Sequence, residues 1–223
     1  MTEYGQFCPV AKAMELLDER WTMLVVRELL AGSTRFNDLR RGNPKMSPAL
    51  LSKRLRTLER AGVVLRTVEG GHSSYTLTPC GAELATVVEA LGAWGVRWVA
   101  ELDDADLDPH LLMWDMHRTM PIGAWPRERT VVAFEFEQSA RPRSWWLCVS
   151  DGEADVCERD PGFDVTATVD TGLRTLVEIW RGDRSWEQAI GAGMVTIAGP
   201  TWAAREVPRW LGQMTLAATT RPG

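Results

Sequence analysis

No apolar run in these 223 residues approaches the roughly 18 that a bilayer-spanning helix needs. The opening Met1-Thr2-Glu3-Tyr4 has neither the positive stretch nor the apolar stretch of a secretory signal. A cytoplasmic location is therefore expected. The four cysteines, Cys8, Cys80, Cys148 and Cys157, include no Cys-x-x-Cys pair, and His72, His110 and His117 are scattered. No zinc site, other metal or cofactor is expected, and in a reducing compartment the cysteines read as buried or reactive thiols rather than staples. The chain shows no phosphate-binding glycine loop and no nucleophile–base pairing, so an enzyme is not expected.

The formal charge of −5 argues against a uniformly basic protein but not against a local basic surface. Residues 35–66 hold nine Lys and Arg (Arg35, Arg40, Arg41, Lys45, Lys53, Arg54, Arg56, Arg60, Arg66) against Asp38 and Glu59, a net of +7. Affinity for a duplex follows the local cations that displace counterions, not the overall balance. A solvated basic face is the plainer alternative. At 45% hydrophobic and 25% charged, the chain can bury one or two cores.

Helical spacing of Val10, Met14 and Leu17 predicts a helix from Pro9 to Leu17. A second is predicted from about Trp21 to Ala31, with Leu24, Val25, Leu29 and Leu30 inward, and a short third over 35–41 burying Phe36 and Leu39. Ser47-Pro48 is a strong helix start, an N-cap hydroxyl followed by proline at the first helical position. That fourth helix runs to Ala61. Its Leu51, Leu55 and Leu58 share the inward face, and Ala49, Ser52, Lys53, Arg56 and Arg60 lie opposite. Small and cationic residues facing outward after a short helix and a tight turn are what a recognition helix requires. A hairpin follows, 63–68 with 74–77 about Gly70-Gly71, then a long helix from about Cys80 to Leu102. Its apolar surface exceeds what a small domain covers, so a second subunit or the rest of this chain must bury part of it.

The acidic stretch 103–109 is read as a linker, giving domains 1–104 and 110–223. Beyond it come alternating strands near 132–136, 145–150, 153–158 and 165–169, with Asp151-Gly152 as a hairpin turn. Helices follow from about Gly172 to Arg181, after the capping-box residues Ser185 to Gln188, and over 201–214 with a break at Pro208; 194–197 is a last strand. The fold class is α+β, an antiparallel sheet with helices to one side.

Cys8-Pro9-Val10, Arg20-Trp21, Arg27-Glu28-Leu29-Leu30, Gly32, Arg35-Phe36, Leu39, Ser47-Pro48, Leu51-Ser52-Lys53-Arg54-Leu55, Leu58-Glu59, Ala61-Gly62-Val63-Val64 and the run Tyr75 to Gly81 occur in order. Over about residues 7–100 they resemble the HxlR-type winged helix-turn-helix regulators, relatives of the MarR proteins. The resemblance implies a homodimer on pseudo-palindromic double-stranded DNA, with the N-terminal helix and the long helix after the wing at the interface. It implies DNA-contacting roles for Ser47, Pro48, Ser52, Lys53 and Arg56, and phosphate or scaffold roles for Arg35 and Arg54. Lys45 and His72 complete the DNA-binding candidates, although this wing tip lacks the arginine or lysine frequent in the family. Cys8 matches a position that senses oxidants or electrophiles in several members; a small buried apolar residue is the alternative.

Stretches 147–152, 164–166, 173–182, 189–191 and 195–199 resemble the sterol-carrier-protein type 2 fold, which encloses an apolar cavity. That resemblance implies a hydrophobic small-molecule effector, for which Trp145, Trp180, Trp186, Trp202 and Trp210 are the candidate lining residues; a filled core is the alternative for each. The expected function is a dimeric regulator, a repressor by expectation, that answers an apolar effector. One rival is a thiol switch through Cys8 with a purely structural second domain. The other is an enzyme or lipid-transfer protein that has borrowed a winged helix.

Overall fold

The computed structural model describes residues 3–99, 102–137, 142–215 and 217. They form two units, Met1–Trp94 and Gly95–Gly223, each built on its own apolar core.

In the first unit, helices α1 (Pro9–Leu17), α2 (Thr22–Leu30), α3 (Phe36–Arg41) and α4 (Pro48–Arg60) precede a hairpin of β1 (Val64–Glu69) and β2 (His72–Leu77). Val25, Val26 and Leu29 of α2 meet Leu39, Met46, Leu51, Leu55 and Leu58 in one core. Leu24, expected inward, is instead exposed, because the buried face of α2 runs through Thr22, Val25, Val26 and Leu29. Phe36 is only partly buried at the margin of this core. Val10 and Met14 of α1 are exposed, and no residue of that helix is buried.

The long helix expected after the hairpin is divided at Glu83 into α5 (Pro79–Ala82) and α6 (Leu84–Trp98). Leu84 and Val88 lean on the first unit's core. Val87, Leu91, Trp94 and Trp98, at spacings of 4, 3 and 4 residues, form an exposed apolar stripe.

In the second unit, α7 (Pro109–Thr119) leads into a five-stranded sheet of β3 (Thr130–Phe136), β4 (Ser144–Ser150), β5 (Glu153–Cys157), β6 (Ala167–Thr171) and β7 (Val195–Ala198). Helices α8 (Leu173–Arg181) and α9 (Trp186–Gly191) join β6 to β7, and α10 (Thr201–Leu211) follows. The strand order is β5-β4-β3-β6-β7. The expected antiparallel sheet is therefore mixed, since β6 lies parallel to β3. The chain reaches the β5 edge, then crosses back to the free side of β3, which places β3 at the centre and buries nearly all of it. Val132, Phe134 and Phe136 share one sheet face with Trp145, Leu147 and Val149, and α7, α8, α9 and α10 all contribute to the core on that face.

The acidic stretch is no linker but part of this second unit. Asp104–Asp106 forms a 3-10 turn closed by a capping box from Asp103, and Arg174 of α8 bonds both Leu102 O and Asp104 Oδ1 (3.1 and 2.6 Å). Asp108 caps α7, and Leu107 packs on the core. The expected break at Pro208 is also absent: α10 continues through it to Leu211. Proline so near a helix C-terminus removes only one ladder bond. Among the described residues, no helix is long and apolar enough to cross a membrane.

Candidate nucleic-acid interface

Helix α4 starts as its sequence requires. Ser47 is extended, its hydroxyl accepts from Leu50 N at 3.3 Å, and Pro48 takes the first turn where no backbone donor is needed. Leu51, Leu55 and Leu58 are fully buried, which fixes the rotation of the helix about its axis. Ser47, Pro48, Lys53 and Arg56 are exposed on the opposite side and Ser52 is half-buried. Arg56 Nε donates to Ser52 O (3.2 Å) and Thr57 Oγ1 to Lys53 O (3.1 Å), so these side chains lie along their own helix.

Arg54 is different: of its two expected roles, phosphate contact or scaffold, its burial fits the scaffold role and not the DNA-binding one. Its Nε donates to Arg20 O at 3.0 Å, its guanidinium pairs with Glu19 at 2.5 Å, and only 6% of the residue is exposed. It serves as scaffold, tying the middle of α4 to the turn before α2. That turn contains Trp21 in a left-handed conformation (φ 77°), with Arg20 over its ring.

A second tie holds the turn that precedes α4. Glu28, fully buried, pairs with Arg27 (2.6 Å), and Arg27 Nη2 also donates to Gly42 O at 3.0 Å. Gly42 has no room for a side chain, because a Cβ there would lie 1.7 Å from Glu28 Oε2. Asn43 adds a bond from its amide to Leu39 O (3.0 Å). Glu28 is absent from the residues expected to matter, since a carboxylate in a helix normally signals a solvent face. The signal available was Gly42, a residue that can mark close approach.

The wing is fastened to α3. Tyr75 N donates to Thr34 O at 2.8 Å, and Arg35 forms an isolated bridge with Ser74. At the tip, Gly70 and Gly71 both take positive φ, as a two-residue hairpin turn between Glu69 and His72 demands. Arg35, Phe36 and Asn37 face Gly71, His72 and Ser73 across an open cleft of about 470 Å³. Two of the expected residues, Arg35 and His72, thus line one cleft, while Lys45 is exposed in the turn before α4. Arg66 is an addition to the expected set; its guanidinium donates to Ser73 Oγ (3.2 and 2.9 Å), adding a cation to the wing.

Cys8 is the half-buried N-cap residue of α1. The tryptophans considered for a ligand are largely core. Trp145, Trp180 and Trp210 are buried, Trp186 packs beside them partly buried, and Trp202 is 56% exposed. Trp210 stacks on Trp125, whose Nε1 donates to Trp210 O (2.7 Å), and Trp180 Nε1 donates to Asp115 (2.8 Å). These indoles fill the space between sheet and helices.

A leucine-anchored cationic helix beside a short hairpin is the arrangement of a winged helix-turn-helix. The profile of the HxlR-like helix-turn-helix family matches residues 16–103. The HTH-type transcriptional regulator YvaP of Bacillus subtilis (strain 168) is 37% identical over 99 residues, 43% of this chain and 92% of YvaP. The chain belongs to the HxlR-like helix-turn-helix family. It is a DNA-binding transcription regulator, and its relatives are named as such rather than as enzymes. The regulator sll1512 of Synechocystis sp. (strain ATCC 27184 / PCC 6803 / Kazusa) is 35% identical over 102 residues, 44% of this chain and 76% of its own. Among solved structures, the reduced form of the regulator YodB from B. subtilis is 31% identical, covering 44% of this chain and 100% of that one, with a TM-score of 0.38.

Proposed function

We propose that this HxlR-family regulator binds DNA as a homodimer, with α4 of each copy in the major groove of a pseudo-palindromic site. The observation that carries the reading is the two-faced α4, leucines fully buried on one side and Lys53 and Arg56 exposed on the other. Ser47, Pro48 and Ser52 let the helix backbone approach the groove floor, while Lys53 and Arg56 reach bases or phosphates. Arg35 and His72, in the cleft between α3 and the wing, together with Lys45, hold the flanking backbone.

The second copy covers the α6 stripe of Val87, Leu91, Trp94 and Trp98, and the exposed Val10 and Met14 of α1 supply further apolar surface for it. Apolar side chains in register along a helix are stabilised by removal from water, which a partner helix provides.

The test is anisotropy of a duplex selected from random sequence by the full chain. Replacing Lys53 and Arg56 together by glutamate is expected to abolish specific binding. Replacing each by alanine should lower the slope of log affinity against log salt by roughly 0.9 for every phosphate that the side chain had neutralised. Unchanged affinity in the double glutamate variant refutes the reading.

A second reading has its own observation: Cys8 sits half-buried at the start of α1, a helix of the proposed interface. Covalent modification there would be felt by the dimer and hence by DNA. Cys8→Ser would keep DNA binding and lose any response to oxidants. Full oxidant sensitivity in that variant removes the reading.

A further inference from the structure

Cys148 on β4 and Cys157 on β5 take no part in the DNA-facing surface. In the strand register Cys148 lies opposite Asp155, and Cys157 lies opposite Trp146. Trp145, Leu147 and Val149 of β4, with Ala154 and Val156 of β5, serve the core. Alternation therefore places Trp146, Cys148 and Cys157 together on the other face of the sheet. The two cysteines are diagonal neighbours, both free and half-buried.

This geometry favours some chemistries and opposes others. Diagonal neighbours have Cα atoms about 7–8 Å apart, beyond the roughly 6.8 Å that a disulfide tolerates without backbone movement. Structural zinc takes four ligands, and among the described residues no group of three or more His, Cys, Asp or Glu could hold a metal ion. Burial, reinforced by Cys157 and Asp155, pushes the Cys148 thiol up to about 11, and burial raises that of Cys157 as well. What remains is two thiols at diagonal positions on one sheet face, with an aromatic residue, Trp146, beside them. A thiophilic atom that bridges two sulfurs, each giving up its proton as it bonds, matches a diagonal pair spaced too widely for a disulfide.

We propose that Cys148 and Cys157 form a dithiol site for a trivalent arsenical, one arsenic atom bridging the two sulfurs across the β4–β5 hairpin. With phenylarsine oxide, two S–H bonds and the arsenic–oxygen bond break and two As–S bonds form. Both protons leave with the oxygen as one water molecule. Arsenic stays trivalent, so no oxidant or reductant is required.

The experiment uses the full chain carrying Cys8→Ser and Cys80→Ser, treated under native conditions with one equivalent of phenylarsine oxide and followed by intact mass and thiol titration. The expected result is one phenylarsenic group per chain with both remaining thiols consumed. It should be retained against excess mercaptoethanol and released by a dithiol. Cys148→Ser or Cys157→Ser, each tested separately, should lower retention against mercaptoethanol by at least about 100-fold, because two-point attachment is lost. Circular dichroism and the thermal midpoint report whether each variant is folded. If either fails to fold, peptide mapping of the adduct in the parent must place arsenic across Cys148 and Cys157. An adduct held equally well by one cysteine, mapped to one sulfur, or absent while both thiols stay free overturns the proposal.

Discussion

The same residue type meets opposite fates in two regions of this molecule. In the second unit Trp125, Trp145, Trp180 and Trp210 are at most 6% exposed, enclosed between a sheet and four helices. On α6, Trp94 and Trp98 are 57% and 62% exposed, in line with Val87 and Leu91. Both sets are apolar at regular spacing, and neither is distinguishable from the other by composition. What differs is supply. The second unit brings a sheet face and several helices to its tryptophans, whereas α6 turns Leu84 and Val88 toward a core and leaves the stripe outside. In the proposed dimer, this leftover stripe is the surface that a second copy covers.

The contrast predicts unequal costs of truncation. Trp210→Ala should destabilise the second unit by about 3–5 kcal/mol, measured by urea unfolding followed by far-UV circular dichroism. Trp94→Ala at concentrations where the chain is monomeric should cost no more than about 0.5 kcal/mol. Equal losses would erase the distinction between the two regions.

Self-association tests the other half. Leu91→Glu with Trp94→Glu should weaken the proposed dimer by at least about 100-fold in sedimentation velocity, as charge placed at the centre of an apolar interface does. Its folding midpoint when dilute should match that of the parent. A dimer undisturbed by the double variant assigns the stripe no partner of its own kind.

Smaller effects separate scaffold from surface within the first unit. Gly42→Ala should cost about 1–3 kcal/mol, since Glu28 must move from a packed, ion-paired position. In a double-mutant cycle with Glu28→Ala, part of that loss, roughly 0.5–3 kcal/mol, should return. Strict additivity would mean the two residues do not meet as described. Arg54→Ala, which strips Glu19 and Arg20 O of their buried partner, should cost about 1–3 kcal/mol in the same unfolding measurement. Smallest of all, Arg56→Ala should alter stability by no more than about 0.5 kcal/mol while weakening DNA binding.

Much of the first unit was legible because its signals are local. Ser47-Pro48 begins α4, Gly70-Gly71 turns the wing, and the three leucines set which side faces out. The exposure of Lys53 and Arg56 followed from them. For Arg54 phosphate contact and scaffold both stayed open, because its partners lie in a turn more than thirty residues away. Glu28 was missed because its burial depends on how closely Gly42 passes. In the second unit the strands and the Ser185 capping box were readable, but the parallel pairing of β3 with β6 was not. Alternation reports which face a residue takes and says nothing about which strand lies alongside.

Local chemistry was thus sufficient for most element starts and stops, for the cationic side of α4 and for the leucines that anchor it. Folding in three dimensions decided which cations stay on the surface, which carboxylate goes inside, how the strands are ordered and which apolar stripe is left uncovered. The physical reason is range. Capping bonds, turn dihedrals and helical periodicity act across a few residues, whereas burial and ion pairing depend on neighbours that only tertiary contact brings together.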